Sequence, residues 1–250
     1  MKIIASYNIK GGIGKTATTV NLAYLAAREG ARTLVWDLDP QGAASFYFRI
    51  KPKVKKGGRG LLTRKRELDD VIKGTDYDKL DLVPADFSYR NLDLELDNFK
   101  KSDRQLRKLL KSVRYEYDYV FLDSPPSVSL VSENILKAAD MILVPTIPTT
   151  LSLRTLDQII EFCEKIDISR SKIFMFFSMA DLRKNLHKQI IESSPNKNIK
   201  SLDTIIPYAS DIEQMGVHRQ PVPVFARQSR SSKAYESLWE ETKLSIPKNY

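Results

Sequence analysis

Lys10-Gly11-Gly12-Ile13-Gly14-Lys15-Thr16 constrains this chain more than any other stretch. It follows a short apolar run, Ile3-Ile4-Ala5-Ser6-Tyr7, and precedes a helical pattern from Thr19 to Arg28. Strand, glycine-rich turn and helix start together make the context of a phosphate cradle. Without Cβ atoms in the way, successive backbone N–H groups converge on phosphate oxygens. A helix opening near Gly14 adds its free N–H groups and the positive end of its dipole. In such a cradle Lys15 neutralises β- and γ-phosphates and Thr16 sets a hydroxyl on Mg²⁺. A plain glycine turn accounts for the glycines but not for Gly-Lys-Thr at the helix start.

The usual G-x-x-x-x-G-K-[ST] pattern asks for glycine at position 9, where this chain has Ile9, and Lys10 stands directly before the glycine pair. In this K-G-G-x-G-K-[ST] form the chain resembles the ParA/MinD family of deviant Walker ATPases, and most of all its short ParA partition and positioning branch. The resemblance implies ATP and Mg²⁺ as cofactors. It implies nucleotide contacts from Lys10, Gly11, Gly12, Ile13, Gly14, Lys15, Thr16 and Ala17, although Ala17 stands where the family often has threonine. Lys10 would reach the phosphates of a partner subunit, as an arginine finger does.

Other stretches extend the likeness from Lys2 to about Glu241. Val35-Trp36-Asp37-Leu38-Asp39-Pro40-Gln41-Gly42 ends an apolar run in two acids, Asp37 and Asp39. It resembles the family's switch I, which assigns Asp37 to the Mg²⁺ shell and Asp39 to positioning the attacking water. Tyr119-Val120-Phe121-Leu122-Asp123-Ser124-Pro125-Pro126 is an apolar strand closed by a carboxylate that can hold Mg²⁺. It resembles Walker B and switch II. By the resemblance, the region of Pro207 packs on adenine through backbone contacts. Phe176-Phe177-Ser178 departs from the pattern, since a base-reading polar residue often sits there. The resemblance therefore names Lys10, Lys15 and Asp39 as catalytic, and Thr16, Asp37 and Asp123 as metal-holding.

Around these motifs the pattern alternates strand and helix, predicting an α/β fold with a doubly wound, mostly parallel sheet. Strands are predicted over Lys2–Tyr7, Thr33–Asp37, Leu80–Val83, Tyr119–Asp123, Met141–Val144, Ile173–Ser178 and Thr204–Ile206. Helices are predicted over Lys15–Arg28, Leu68–Ile72, Arg90–Val113, Glu133–Ala138, Ser152–Ile166, Leu186–Glu192 and Ser232–Lys243. The strands read as continuous apolar runs, as strands buried on both faces do. In such sheets ligands bind beyond the carboxyl ends of the strands, where every motif above falls.

At 250 residues the chain suits one P-loop ATPase domain spanning 1–250. No apolar run approaches the roughly 20 residues of a membrane span, and the expected location is cytoplasmic. Cys163, the one cysteine, lies in an amphipathic helical pattern and reads as core. A single cysteine also argues against the iron–sulfur relatives of this class. The start at the phosphate loop predicts no preceding helix-turn-helix domain.

The formal net charge of +9 favours polyanionic partners. Two basic regions compete for that role. Residues 49–66 carry nine Lys/Arg and no acid, and read as a long basic loop. Later come Arg183, Lys184, Lys188, Lys197, Lys200, Arg219, Arg227, Arg230 and Lys233. The resemblance favours the later set, chiefly Arg183, Lys184, Lys188, Arg219, Arg227 and Arg230, as DNA contacts.

The resemblance implies an ATP-dependent homodimer that binds duplex DNA without sequence preference and is nucleoid-associated in that state. It also implies a ParB-like or cargo-adaptor partner that stimulates hydrolysis. The cargo would be a plasmid, a chromosome origin or a body such as the carboxysome. The alternative is a MinD-like membrane-cycling ATPase for division-site placement. That function needs a basic amphipathic C-terminal helix, and Leu238 to Pro247 carries paired acids and a proline instead.

Overall fold

The computed structural model describes residues 1–63, 65, 67–193 and 198–246. In chain order the elements begin β1 (Lys2–Ser6), α1 (Lys15–Arg28), β2 (Thr33–Asp37), α2 (Ala43–Tyr47), α3 (Gly57–Leu62), β3 (Lys73–Gly74) and β4 (Leu80–Val83). The middle of the chain forms α4 (Leu92–Asp97), α5 (Gln105–Leu110), β5 (Tyr119–Asp123), α6 (Leu130–Ala138), β6 (Met141–Thr146) and α7 (Thr150–Lys165). The last part forms β7 (Ile173–Ala180), α8 (Asn185–Glu192), β8 (Lys200–Pro207), α9 (Ser210–His218), α10 (Val222–Phe225) and α11 (Arg230–Ser245).

The strands order as β3-β4-β2-β5-β1-β6-β7-β8, parallel throughout except for the β3–β4 pair. Alternate residues of one strand enter different cores. Ile3, Ala5, Leu34, Trp36, Val120 and Leu122 pack with α4 to α7. Ile4, Val35 and Phe121 pack with α1 and α11. Helices therefore cover both faces, and the strands read as continuous apolar runs because both faces are buried. The doubly wound α/β architecture predicted from the sequence is the one observed.

Three local expectations need correction. Arg90–Val113 is not one helix. It breaks into a 3-10 turn (Phe87–Asn91), α4, a second 3-10 turn (Ser102–Arg104) and α5. Asn134 of α6 supplies the reason: its Oδ1 accepts from Gln105 N (2.8 Å) and Leu106 N (3.3 Å), while its Nδ2 donates to Ser102 O (2.7 Å). This cap from outside satisfies the α5 N-terminus and lets a new helix start there.

Leu68–Ile72 forms turns rather than a helix. The basic region 49–66 is not a loop throughout, since it contains α3. Val54, Leu61 and Leu62 are buried, and Gly58 packs so tightly that a Cβ there would lie 2.9 Å from Leu92 Cδ1. Val54 N donates to Asp86 Oδ2 (2.8 Å) and Gly58 N to Ser88 Oγ (2.9 Å). The buried apolar residues anchor the segment while Lys51, Lys53, Lys55 and Lys56 stay exposed. Arg64, Arg66 and Lys197 lie outside the described residues. Among the described residues no helix is long and apolar enough to cross a membrane.

Candidate active site

β1 ends in the middle of the sheet, between β5 and β6, so the turn that follows emerges at its carboxyl edge. Asn8 pins that turn. Its Nδ2 donates to Pro145 O (3.0 Å) and its Oδ1 accepts from Lys10 N (3.0 Å). Gly12 (φ 71°) and Gly14 (φ 93°) take left-handed conformations. At Gly14 a Cβ would also lie 2.9 Å from Ser178 Oγ, so a side chain is excluded twice over. Lys15 is buried, and its ammonium donates to Lys10 O (2.8 Å). Burial pulls its pKa below the usual lysine value, opposed by the charges of Asp123 and Asp39.

Asp37 and Asp123 are register partners at the ends of adjacent parallel strands, and both are fully buried. Asp37 Oδ2 accepts from Ser45 N and Ser45 Oγ, both at 2.7 Å. Among the described residues its Oδ1 has no hydrogen-bond partner, and neither has Asp123 Oδ2. Burial pushes the Asp37 carboxyl up to about 6, with Asp39 adding to the rise and the Ser45 hydrogen bonds opposing it. Burial, then the charge of Asp37, raises Asp123 well above the ordinary carboxylate range; the nearby Thr16 hydroxyl and Lys15 ammonium oppose this.

Unpaired carboxylate oxygens in a protein interior are costly unless a cation joins them. No group of three or more His, Cys, Asp or Glu forms a metal cage among the described residues. Two carboxylates beside a threonine hydroxyl suit a Mg²⁺ that takes its remaining ligands from phosphate and water. The residues present fit that ion.

Above them opens a cleft of about 300 Å³, lined by Gly11, Gly12, Gly14, Lys15, Thr16, Ala17 and Asp39. Asp39 Oδ1 accepts from Gln41 N (2.9 Å), which holds the carboxylate at the turn after β2. The far wall comes from distant elements: Ser178 and Met179 of β7, Pro207 and Tyr208 at the end of β8, and Tyr235 of α11. Pro207 is one of the residues of this wall. Phe176 and Phe177 are core residues, leaving the Ser178 hydroxyl as the polar group of that stretch in the cleft. Tyr47, also on the wall, belongs to α2, too short a helix to announce itself by periodicity.

Two predicted residues stand apart from the cleft. Ile13 is buried in the core, so only its backbone belongs to the turn. Lys10 reaches away from its own cleft, its ammonium donating to Leu151 O (3.2 Å) at an exposed position on α7.

The six candidate DNA contacts separate by element. Arg183 is clamped on Asp181 through Nε (2.9 Å) and Nη2 (3.0 Å), Lys184 precedes α8, and Lys188 lies within it. Arg219 caps α9, donates to Phe46 O (3.0 Å) and lies over the Phe46 ring. Arg227 and Arg230, before and at the start of α11, are exposed.

A glycine-rich turn from β1 into α1, a buried lysine, and two carboxylates on neighbouring strand ends define a P-loop nucleotide hydrolase. Comparison with known proteins narrows the class. Residues 1–175 match a family model described as an AAA domain. The chain is 32% identical over 246 residues to the sporulation initiation inhibitor protein Soj of Bacillus subtilis (strain 168), spanning 96% of this chain and 97% of the relative. A putative plasmid partition protein from Borrelia burgdorferi, solved with AMPPNP, shares the fold with a TM-score of 0.83 at 24% identity, over 98% of this chain and 99% of that one. Cobyrinic acid a,c-diamide synthase from Mycobacterium smegmatis, solved with an ATP analogue and magnesium, does so with a TM-score of 0.82 at 23% identity, over 96% and 93%. The chain belongs to the ParA/Soj family of deviant Walker ATPases and is a partition-type ATPase.

Proposed function

We propose that residues 1–250 act as one Mg²⁺-dependent ATPase domain that cycles between a free monomer and an ATP-bound homodimer. The dimer binds duplex DNA without sequence preference and positions a cargo. A ParB-like or adaptor partner ends the cycle by stimulating hydrolysis. The observation that carries the reading is the unpaired pair Asp37 Oδ1 and Asp123 Oδ2, buried beside Lys15 and Thr16. Thr16, Asp37 and Asp123 would hold Mg²⁺, which supplies charge neutralisation for the β- and γ-phosphates.

Lys15 offers its ammonium to the phosphates once it leaves the Lys10 carbonyl. Asp39 orients the attacking water from the rim of the cleft. Lys10, half-buried and with its ammonium on the Leu151 carbonyl, would cross to a second subunit, where a cation stabilises transition-state charge. Tyr208, half exposed beside Pro207, offers an aromatic face to the base. The membrane-cycling alternative requires a C-terminal helix with a free apolar face. Here α11 buries Tyr235, Leu238 and Trp239 in the core, and Trp239 Nε1 donates to Glu29 (3.0 Å).

DNA is the test. With ATP, wild type should bind unrelated duplexes with similar affinity and a steep salt dependence, on the nucleoid in cells. Arg227→Ala/Arg230→Ala should lower the salt slope by about one for each lost phosphate contact and leave DNA-free ATPase activity intact. Wild type that binds no DNA with ATP would leave a dimeric ATPase switch without the positioning role.

A further inference from the structure

Residues 100–114 carry seven Lys/Arg and one acid, Asp103. As a helical stretch the segment looks unremarkable, but the fold turns it into a groove. Lys101, Arg104, Arg107, Lys108 and Lys111 face Lys172 and Asp167 across a concavity of about 600 Å³. Lys137 also lines it, but Asp103 (2.6 Å) and Glu133 (2.7 Å) neutralise that ammonium. Arg104 is 3.8 Å from the same Asp103, and Lys172 donates to Ala139 O (3.0 Å). Among the described residues, Lys101, Arg107, Lys108 and Lys111 have no carboxylate within ion-pair distance. With Lys137 neutralised, six cations share one groove whose own lining acid is Asp167.

The groove lies at the wrong end of the sheet to serve the nucleotide. α5 leads into β5, Lys137 precedes β6, and Lys172 immediately precedes β7. All three strands start there, whereas the phosphate turn, Asp39 and Asp123 lie at carboxyl ends. A five-residue strand separates the two ends by about 16 Å. The positive charge is held firmly, because Leu106, Leu109 and Leu110 bury the opposite face of α5 and Asn134 caps it.

We infer that this groove is a second duplex-DNA contact, independent of bound nucleotide. Arg107 and Lys108 lie on α5 and Lys111 caps its end, while Arg104 stands immediately before the helix starts, so four cations follow one another along this short segment. A flat anionic membrane does not enter a concave groove, and the lining offers no exposed apolar residue to insert, Ile166 being half-buried and Ile168 buried. An acidic protein partner would want an aromatic or apolar anchor, and the lining has no aromatic residue. Continuous uncompensated charge without such anchors fits a phosphodiester backbone. A face-to-face dimer would carry one such groove at each outer end and could hold two duplex segments at once.

The inference rests on the DNA partner proposed above but not on its ATP dependence. The experiment is fluorescence anisotropy of nucleotide-free protein with labelled duplexes of about 30 base pairs, from about 50 to 150 mM salt. Wild type should bind. Arg107→Gln/Lys108→Gln/Lys111→Gln should weaken binding at least about tenfold and lower the salt slope by about one per lost contact. Lys101→Gln/Arg104→Gln, on a neighbouring part of the lining, should act in the same direction. Lys73→Gln, an exposed cation on β3 outside the groove, should leave nucleotide-free binding unchanged, and ATP turnover without DNA reports that every variant is folded. No nucleotide-free binding by wild type, or groove variants that bind as wild type does, would overturn the inference. So would groove-dependent binding to phosphatidylserine vesicles in place of DNA. Loss of only the ATP-dependent binding in the Arg227/Arg230 variant would bear on the positioning cycle and leave the groove standing.

Discussion

Asp37 and Asp123 sit opposite one another on adjacent parallel strands, each fully buried and each with one carboxylate oxygen that has no hydrogen-bond partner among the described residues. Two like charges this close in a dry site raise each other's proton affinity. Under the proposed function a cation and a nucleotide would complete the arrangement.

That arrangement makes stability depend on pH in a specific direction. In the fold Asp37 keeps its proton up to about 6, whereas its ordinary value is 3.8. Between those values the folded chain binds a proton that the unfolded chain has released, so stability falls as pH rises through the window. Asp37→Asn keeps an acceptor for the Ser45 hydrogen bonds but carries no charge. Without nucleotide or Mg²⁺, the variant should melt above wild type near pH 7.5, and the gap should shrink near pH 5. Thermal melts showing a gap of the same size at both values would refute the assignment.

Lys15→Ala removes a buried cation whose ammonium donates to the Lys10 carbonyl. ATP affinity should drop by on the order of 10²-fold or more, because the phosphates lose their buried counter-charge. Calorimetric titration checks this, and unchanged affinity would remove the cleft as the nucleotide site.

Asp39→Ala should bind ATP and dimerise yet hydrolyse on the order of 10²-fold more slowly, since it loses only the group that positions water. The variant should accumulate as a DNA-bound dimer. Single-turnover hydrolysis at the wild-type rate would show that Asp39 has another role.

Lys10→Ala should weaken the dimer formed with a non-hydrolysable ATP analogue and lower turnover, while leaving monomer stability nearly unchanged, because among the described residues the half-buried Lys10 ammonium donates to one backbone carbonyl, Leu151 O. Analytical ultracentrifugation decides between the outcomes. A strict monomer for wild type with the analogue, at micromolar protein, would count against the whole dimer model.

Each residue legible in the sequence is defined by local chain geometry. Gly12, Gly14, Lys15 and Thr16 follow one strand, Asp37 and Asp39 end the next, and Asp123 ends a third. A few adjacent residues suffice to specify such turns, because glycine conformation, strand alternation and helix start are short-range effects. The apolar runs likewise announced a sheet buried on both faces, since burial depends on residue type and spacing.

What the sequence by itself determined is thus the α/β class, the phosphate turn and the acids at the strand ends. Only the tertiary structure decided which distant residues complete the site. Ser178, Tyr208 and Tyr235 reach the cleft because β7 and β8 follow β6 across the sheet from β1, and α11 packs on α1 and β8, an arrangement set by packing over long separations. It also decided that Asn134 would break a predicted helix, that Val54 and Leu61 would tie the basic region 49–66 to the core, and that a charged helical stretch would become a groove. Backbone hydrogen bonds and charge–charge contacts between remote segments exist only once the chain is compact, so no local pattern records them.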